Sequence, residues 1–268
     1  MKLIELKKAF AKKVLEVCSM DTLRIFTLYL SFFILSGCKS NIEKPVNNKN
    51  IAVYKGDIIE ATKVLVSHRK LIFQEIDSVH RKEIVAVAFP EIIRYNAFQD
   101  LIESSANKIL YIEGGKEVAN FSIGLFQMKP SFIEDLESYI SKTESLKRFS
   151  SIIITGVSES KIREERFRRL ENTQWQFRYL NIFWYVANEK YKDMKFTDDS
   201  ERLRLYASAY NCGFLKSDEF IESMIYKEIF PYGAKYKGEQ VAFSDLSNEF
   251  LNNYSYILKQ TFTEHEKL

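Results

Sequence analysis

Cysteine, glycine and proline are scarce in this chain, which has three, nine and four of them among its 268 residues. Cys212 is the only cysteine after residue 38, so we expect no intramolecular disulfide in the rest of the chain and a fold that depends on its hydrophobic core. We interpret Cys212 itself as a small packed residue rather than a nucleophile. The scarcity of glycine and proline, with apolar residues three or four positions apart, predicts a mainly α-helical protein.

Histidine is also rare, and the three histidines are isolated from one another. His68, His80 and His265 form neither an H-E-x-x-H pattern nor a pair at metal-ligand spacing. A phosphate-binding loop is absent as well. The sequence therefore predicts neither a metal site nor a cofactor.

Residues 25–35, IFTLYLSFFIL, are eleven residues without a charge near the start of the chain. Because a membrane-spanning helix needs about 20 apolar residues, this run is too short to cross a bilayer, and it is typical of a secretory signal. Basic residues precede it, and Leu35-Ser36-Gly37-Cys38 follows. We predict a signal peptide at residues 1–37, with Met1 or Met20 as its start.

Leu35-Ser36-Gly37-Cys38 resembles the lipobox of bacterial lipoproteins. That resemblance implies that Cys38 is acylated, that the chain is cut just before it, and that Cys38 anchors the protein to a lipid bilayer. The polar residues 38–50 are then a tether, and 51–268 form one domain. Lys39 after the cysteine favours the periplasmic face of the outer membrane, with the inner membrane as the alternative.

The net charge of +3 comes from the predicted signal peptide. Without residues 1–37 the chain has 33 basic and 33 acidic side chains. Such a balance lacks the positive field typical of nucleic-acid-binding proteins, so we expect no nucleic-acid partner. We interpret the mixed-sign run at residues 163–169 as a solvated helix face.

Apolar periodicity predicts the positions of the helices. They are 57–78, 81–99, 130–144, 161–192, 199–212, 217–229 and 244–262. We expect Asp198 or Asp199 to cap the fifth helix and Gly213 to end it. Residues 109–121, which contain two adjacent glycines, form either a hairpin or a broken helix.

Glu91 is the candidate acid of the chain. It shares one face of the helix 81–99 with apolar residues: Ile84, Val87, Ala88 and Tyr95. Since burial disfavours a carboxylate, Glu91 should have a raised pKa, as a general acid near neutral pH requires. Pro90 should kink the helix or begin it. Alternatively, Glu91 pairs with Arg94 or caps a helix that begins at Pro90.

Two later segments resemble a known family. Residues 120–130, NFSIGLFQMKP, resemble the S-x-x-G-x-x-G-L-M-Q-[IL]-M-P stretch of the soluble lytic transglycosylases, relatives of goose-type lysozyme. Residues 206–213, YASAYNCG, resemble the A-A-Y-N-x-G of that family. The order of glutamate, loop and Y-N helix is also that of the family. The resemblance covers roughly residues 80–215.

This resemblance implies a lysozyme-like, mainly α domain with a cleft between two helical lobes. It implies cleavage of peptidoglycan glycan strands between N-acetylmuramic acid and N-acetylglucosamine, with 1,6-anhydro product formation. Glu91 would protonate the glycosidic oxygen and then act as base on the muramoyl 6-hydroxyl. The substrate-binding residues would be Ser122, Gly124, Gln127, Tyr210 and Asn211.

The chain departs from the family pattern around its glutamate. Ile92 stands where the family has serine, and 33 residues rather than around twenty separate Glu91 from Gly124. Glu103, followed by Ser104, would restore both features. We prefer Glu91 because residues 85–96 better resemble the apolar helix of the family. A muramidase-type hydrolase and a non-catalytic peptidoglycan-binding lipoprotein are the alternative functions.

Overall fold

A computed structural model of the protein describes residues 48–98 and 105–259. The predicted signal peptide, Cys38 and the rival acid Glu103 lie outside these residues, as does the predicted tether up to residue 47. No helix in the described part of the chain is long and apolar enough to cross a membrane.

The described residues are mainly helical, which confirms the predicted class. The α-helices are α1 (Asn48–Val53), α2 (Lys55–Ser67), α3 (Arg69–Glu75), α4 (Arg81–Phe98), α5 (Ser105–Gly114), α6 (Pro130–Lys142), α7 (Glu159–Glu171), α8 (Thr173–Lys190), α9 (Asp199–Cys212), α10 (Asp218–Met224) and α11 (Phe243–Asn253). The 3-10 helices are Glu144–Ile152 and Ser255–Leu258. Strands β1 (Glu228–Phe230) and β2 (Val241–Ala242) form an antiparallel pair.

Helix α4 lies at the centre of the core, where it packs against α2, α8, α9 and α11. Its residues 84–89 are completely buried, which fits a segment that is apolar on every side. Phe89 stacks on Phe250 of α11 with ring centroids 4.2 Å apart. The helix continues through Pro90, so it does not begin there as one alternative proposed. Glu91 is therefore held by an interior element.

Both ends of α9 were predicted correctly from local signals. The side chain of Asp198 accepts a hydrogen bond from the backbone N–H of Glu201 at 2.8 Å and caps the helix. Gly213 ends it with a φ of +96°, a left-handed conformation that glycine adopts without strain. These two signals place the Y-N pair in the last turn of the helix.

The prediction of single helices over 161–192 and 57–78 was wrong. The first is divided into α7 and α8 at Asn172, whose side chain accepts a hydrogen bond from the Trp175 backbone N–H at 3.1 Å and caps α8. The second is divided into α2 and α3 at His68. In each case the apolar pattern continues across a break that a local cap or bend produces.

The segment 109–121 is a broken helix rather than a hairpin. Helix α5 ends at Gly114, and Gly115 takes a φ of +75°. The backbone N–H of Gly115 still donates to the carbonyl of Tyr111 at 2.8 Å. The chain then leaves the helix and enters the segment that resembles the family loop.

Arg166 is buried, so the interpretation of residues 163–169 as a solvated face was wrong at this position. Its guanidinium donates to both carboxylate oxygens of Glu137 on α6, at 3.1 and 2.8 Å. It also donates to the hydroxyl of Tyr111 on α5 at 2.9 Å. The neighbouring pair of Arg168 and Glu165 lies nearer the surface. Arg166 thus joins α7 to two other helices through a satisfied buried ion pair.

Candidate functional site

Three segments distant in sequence line one cavity of about 480 Å³. They are the second half of α4, the loop before α6 together with the first turns of that helix, and the end of α9 with the residues after it. The predicted site residues on its wall are Glu91, Ser122, Gln127, Tyr210 and Asn211. The structure therefore brings together five of the six residues predicted for the site.

Glu91 is buried in this wall, with 4% of its surface exposed. Nη1 of Arg94, one helical turn along α4, donates to both carboxylate oxygens at 2.8 Å. Burial raises the pKa of Glu91 to about 7, while the Arg94 charge and hydrogen bond and the charge of Lys129 oppose that rise. Glu91 is thus both a buried acid and the partner of Arg94, two roles that the sequence pattern presented as alternatives. At neutral pH this carboxyl can both give and take a proton.

The loop before α6 makes a tight turn between Ile123 and Met128. These two residues exchange backbone hydrogen bonds at 3.0 and 3.1 Å. Inside the turn, Gly124 and Gln127 have φ values of +67° and +48°. The side-chain Nε2 of Gln127 donates to the Gly124 carbonyl at 2.8 Å. Gln127 therefore lines the cavity while part of its amide stabilises the turn.

Gln176 of α8 holds this turn from the interior. Its Oε1 accepts a hydrogen bond from the Phe126 backbone N–H at 3.0 Å, and its Nε2 donates to the Leu170 carbonyl at 2.6 Å. A Cβ atom at Gly124 would lie 1.8 Å from that Nε2. Gly124 is not one of the residues that line the cavity. Its contribution is the space that lets Gln176 reach the loop.

Gln176 was missed by the sequence reasoning, although a signal for it existed. It is 1% exposed and shares a face of α8 with the buried Leu180 and Phe183. A polar residue on an apolar stripe is the same signal that identified Glu91. Its partner Phe126 lies 50 residues away in sequence, so the apolar pattern of the helix could not indicate which group the Gln176 amide binds.

Tyr210 connects the end of α9 to the same loop. Its hydroxyl donates to the Phe126 carbonyl at 2.7 Å, and its ring packs edge-on against Phe132 at a centroid distance of 5.2 Å. Burial, together with the nearby negative charge of Glu91, raises the pKa of Tyr210 well above its ordinary value. Tyr210 therefore stays a neutral donor beside Glu91. Its hydrogen bond supports the loop.

Several residues on the cavity wall were not predicted as site residues. Besides Arg94, those with a charged, amide or thiol side chain are Asn120, Lys129, Asp135, Cys212 and Lys216. Burial raises the pKa of Asp135, while the charge of Lys116 opposes the rise. Asp135 lies four residues after Ser131 on α6, so helical spacing could have indicated it once the orientation of α6 was known.

Cys212 has a raised pKa of about 11, mainly because it is buried. Its thiol donates to the Ser208 carbonyl at 2.8 Å. At neutral pH the thiol is protonated, which makes it a poor nucleophile. Among the described residues, no group of three or more His, Cys, Asp or Glu side chains could hold a metal ion.

A second cavity, of about 320 Å³, adjoins the first through Arg94 and Asn211, which line both. Phe230 and Tyr232 contribute aromatic walls, and Lys227 contributes a second cation. The guanidinium carbon of Arg94 lies 4.8 Å from the centroid of the Phe230 ring. The two cavities thus form neighbouring spaces on either side of one arginine.

In comparisons with known proteins, no family model, no curated protein and no solved structure matches this chain. The resemblance to lytic transglycosylases therefore consists of the glutamate helix and two short segments in the family's order. That these three elements line one cavity is an observation independent of the resemblance, since their spacing in the sequence does not determine whether they lie close together.

Proposed function

We propose that this protein is a peptidoglycan lytic transglycosylase with a lysozyme-like, two-lobed fold and a central cleft. The observation that carries the proposal is Glu91, a buried carboxyl with a pKa raised to about 7. It opens onto a cavity whose other walls are the Gln127 loop and the Tyr210-Asn211 helix end.

The proposed reaction uses Glu91 twice. Protonated Glu91 gives its proton to the glycosidic oxygen as the bond from that oxygen to C1 of N-acetylmuramic acid breaks. The resulting carboxylate then takes the proton of the 6-hydroxyl of the same sugar as this oxygen bonds to C1. Glu91 is regenerated and the product is a 1,6-anhydro sugar. A pKa near the working pH suits a group that performs both transfers.

Other residues of the cavity position the sugar rather than react with it. Asn211 and Ser122 are partly exposed and present polar side chains to the cavity. Gln176 and Tyr210 fix the loop backbone at Phe126 from two sides, through its N–H and its carbonyl. A wall held in this way fixes the geometry of the cleft before substrate binds, which favours catalysis.

Asp135 gives a specific reason to consider a hydrolase as the second candidate. It lies on the wall of the same cavity as Glu91. Inverting glycosidases use one carboxyl as acid and a second as the base that activates water. With Asp135 as that base, the products would carry reducing ends instead of anhydro sugars.

Digestion of purified sacculi by the full-length protein, followed by mass spectrometry of the muropeptides, tests the proposal. We expect 1,6-anhydro products that disappear in Glu91→Gln and persist in Glu60→Gln, an exposed control. Anhydro products should also persist in Asp135→Asn. Reducing-end products that Asp135→Asn abolishes would establish the hydrolase.

Two further outcomes would overturn the assignment of Glu91. Products that persist in Glu91→Gln and vanish in Glu103→Gln would make Glu103 the acid. The absence of any product, together with sedimentation of the protein with sacculi, would identify a non-catalytic peptidoglycan-binding lipoprotein.

A further inference from the structure

Arg94 occupies the boundary between the two cavities and is only partly engaged there. Its contact with Glu91 uses Nη1, whereas its buried Nε has no hydrogen-bond partner within the described part of the chain. Its side chain is 25% exposed, compared with 5% for that of Glu91. A guanidinium has five N–H donors, so Arg94 retains the capacity to bind a second acceptor.

The charges around Arg94 favour an anionic group. The larger cavity has three cationic residues, Arg94, Lys129 and Lys216, and two acidic ones, Glu91 and Asp135. The smaller cavity has Arg94 and Lys227, and none of the described residues on its wall is acidic. A ligand that extends from the larger cavity into the smaller one therefore moves toward positive charge.

We propose that Arg94 determines substrate specificity by binding a carboxylate of the peptide that the glycan strand carries, which enters the smaller cavity and draws Arg94 away from Glu91. This inference rests on the proposed function and names the part of the substrate that the second cavity takes. Arginine pairs with carboxylates through parallel N–H···O bonds, which gives the contact a defined direction.

The exchange of partners also affects the acid. In the free protein, the Arg94 contact stabilises the charged form of Glu91, which cannot donate a proton. Once a substrate carboxylate engages Arg94, that stabilisation weakens and the neutral acid is favoured. Glycan that carries its peptide is then bound more tightly, and Glu91 protonates its glycosidic oxygen more readily. Glycan without peptide leaves the ion pair between Arg94 and Glu91 in place.

The test compares two forms of the same glycan, sacculi with their peptides and strands stripped of peptides by an amidase. For the wild-type chain we expect kcat/KM about tenfold higher on peptide-bearing glycan, the range of one charge-assisted hydrogen bond. Arg94→Gln should remove that preference, and Arg94→Lys should keep part of it. Lys216→Gln, which removes a cation of the larger cavity, should leave the preference in place. Circular dichroism verifies that each variant is folded.

A binding measurement separates this inference from the proposed function. Calorimetry on the Glu91→Gln chain compares a muramoyl disaccharide with and without its peptide. We expect about tenfold tighter binding with the peptide, and loss of that gain when Arg94→Gln is added.

Equal cleavage of both glycans and equal binding of both disaccharides would overturn the inference while the proposed function stands. No cleavage of either glycan, with peptide-dependent binding that requires Arg94, would sink the proposed function and support the inference. No cleavage and no peptide-dependent binding would overturn both.

Discussion

Glu91 is subject to two opposing influences at the scale of a single side chain. Burial favours its neutral form, and the guanidinium of Arg94 at 2.8 Å favours its charged form. Burial has the larger effect, because the pKa is raised from 4.5 to about 7. The folded protein therefore binds a proton at Glu91 in a range of pH where the unfolded chain has released it.

The stability of the fold should depend on pH through this group. Because the folded pKa exceeds the unfolded one, the contribution of Glu91 is fully present below pH 4.5 and is lost as pH rises to about 7. Glu91→Gln is neutral at every pH, so it should exceed the wild type in unfolding free energy by about 2–3 kcal/mol at pH 8 and by little at pH 4.5. Urea unfolding at both pH values measures this difference. A less stable Glu91→Gln protein at pH 8 would contradict it, and Glu60→Gln is the exposed control.

The same shift predicts the alkaline limit of activity. Cleavage of sacculi should decline above pH 7, since protonated Glu91 starts the proposed reaction. Arg94 and Lys129 lower this pKa, whereas Tyr210 stays neutral beside it. On peptide-free glycan, Arg94→Gln should therefore move the decline to higher pH, and Lys129→Gln should move it less. Initial rates between pH 5 and 9 measure it, and a decline already near pH 4–5 would contradict a buried acid.

The burial of Glu91 was predictable from the sequence and the position of Asp135 on the cavity wall was not, for a physical reason. A carboxyl on an apolar helix stripe must meet a desolvating environment, whatever the tertiary fold, so its raised pKa followed from the pattern. Asp135 lies on a helix with many polar residues, and its sequence alone does not say which side faces the cavity. The pairing with Arg94 was visible as an alternative because it is local, three residues along the same helix.

At the scale of the element, the conformation of the loop from Ile123 to Met128 depends on one glycine. Gly124→Ala would place a Cβ 1.8 Å from Nε2 of Gln176 and impose a positive φ on alanine. We expect the clash and the backbone strain together to lower the free energy of unfolding by about 2–4 kcal/mol. Activity should be lost because the loop moves. Thermal unfolding measures the first and digestion of sacculi the second.

Gly56→Ala is the matched control for this prediction. Gly56 lies in helix α2, and a Cβ there would meet nothing within 4 Å. Because Gly56 is the second residue of α2, alanine there should raise the free energy of unfolding by less than the roughly 0.5–1 kcal/mol typical of a helix interior. If Gly124→Ala unfolded at the wild-type temperature, the contact between the loop and Gln176 would not be what fixes the turn.

Helix ends were predictable where the signal is local and not where it competes with a longer pattern. Asp198 and Gly213 mark the ends of α9 because a cap and a left-handed glycine each act within a few residues. Asn172 also caps a helix, but the apolar pattern continues across it and suggested one long helix. The hydrogen bond from Phe126 to Gln176 joins residues 50 positions apart, and no local pattern indicates such a contact.

At the scale of the whole molecule, the candidate site depends on long-range packing around α4. No single segment of the chain contains it. α4 contributes Glu91 and Arg94, contacts α9, which carries Tyr210, and is buried along residues 84–89. The order of the motifs in the sequence was predictable, whereas their meeting in one cavity depends on these long-range contacts. The described residues that line the cavity all lie between 91 and 216, away in sequence from the predicted anchor, so we expect its chemistry not to require attachment to a membrane.

Attachment should instead decide where the protein acts. If Cys38 carries the lipid, Cys38→Ala should abolish labelling by radioactive palmitate. Digestion of isolated sacculi should be unaffected, because no residue of the cavity is altered. Cys212→Ala is the matched control and should keep the label, since the Cys212 thiol is partly buried and bonded to the Ser208 carbonyl. Palmitate labelling that persists in Cys38→Ala would show that Cys38 is not the acylated residue. It would leave the proposal for the cavity unchanged.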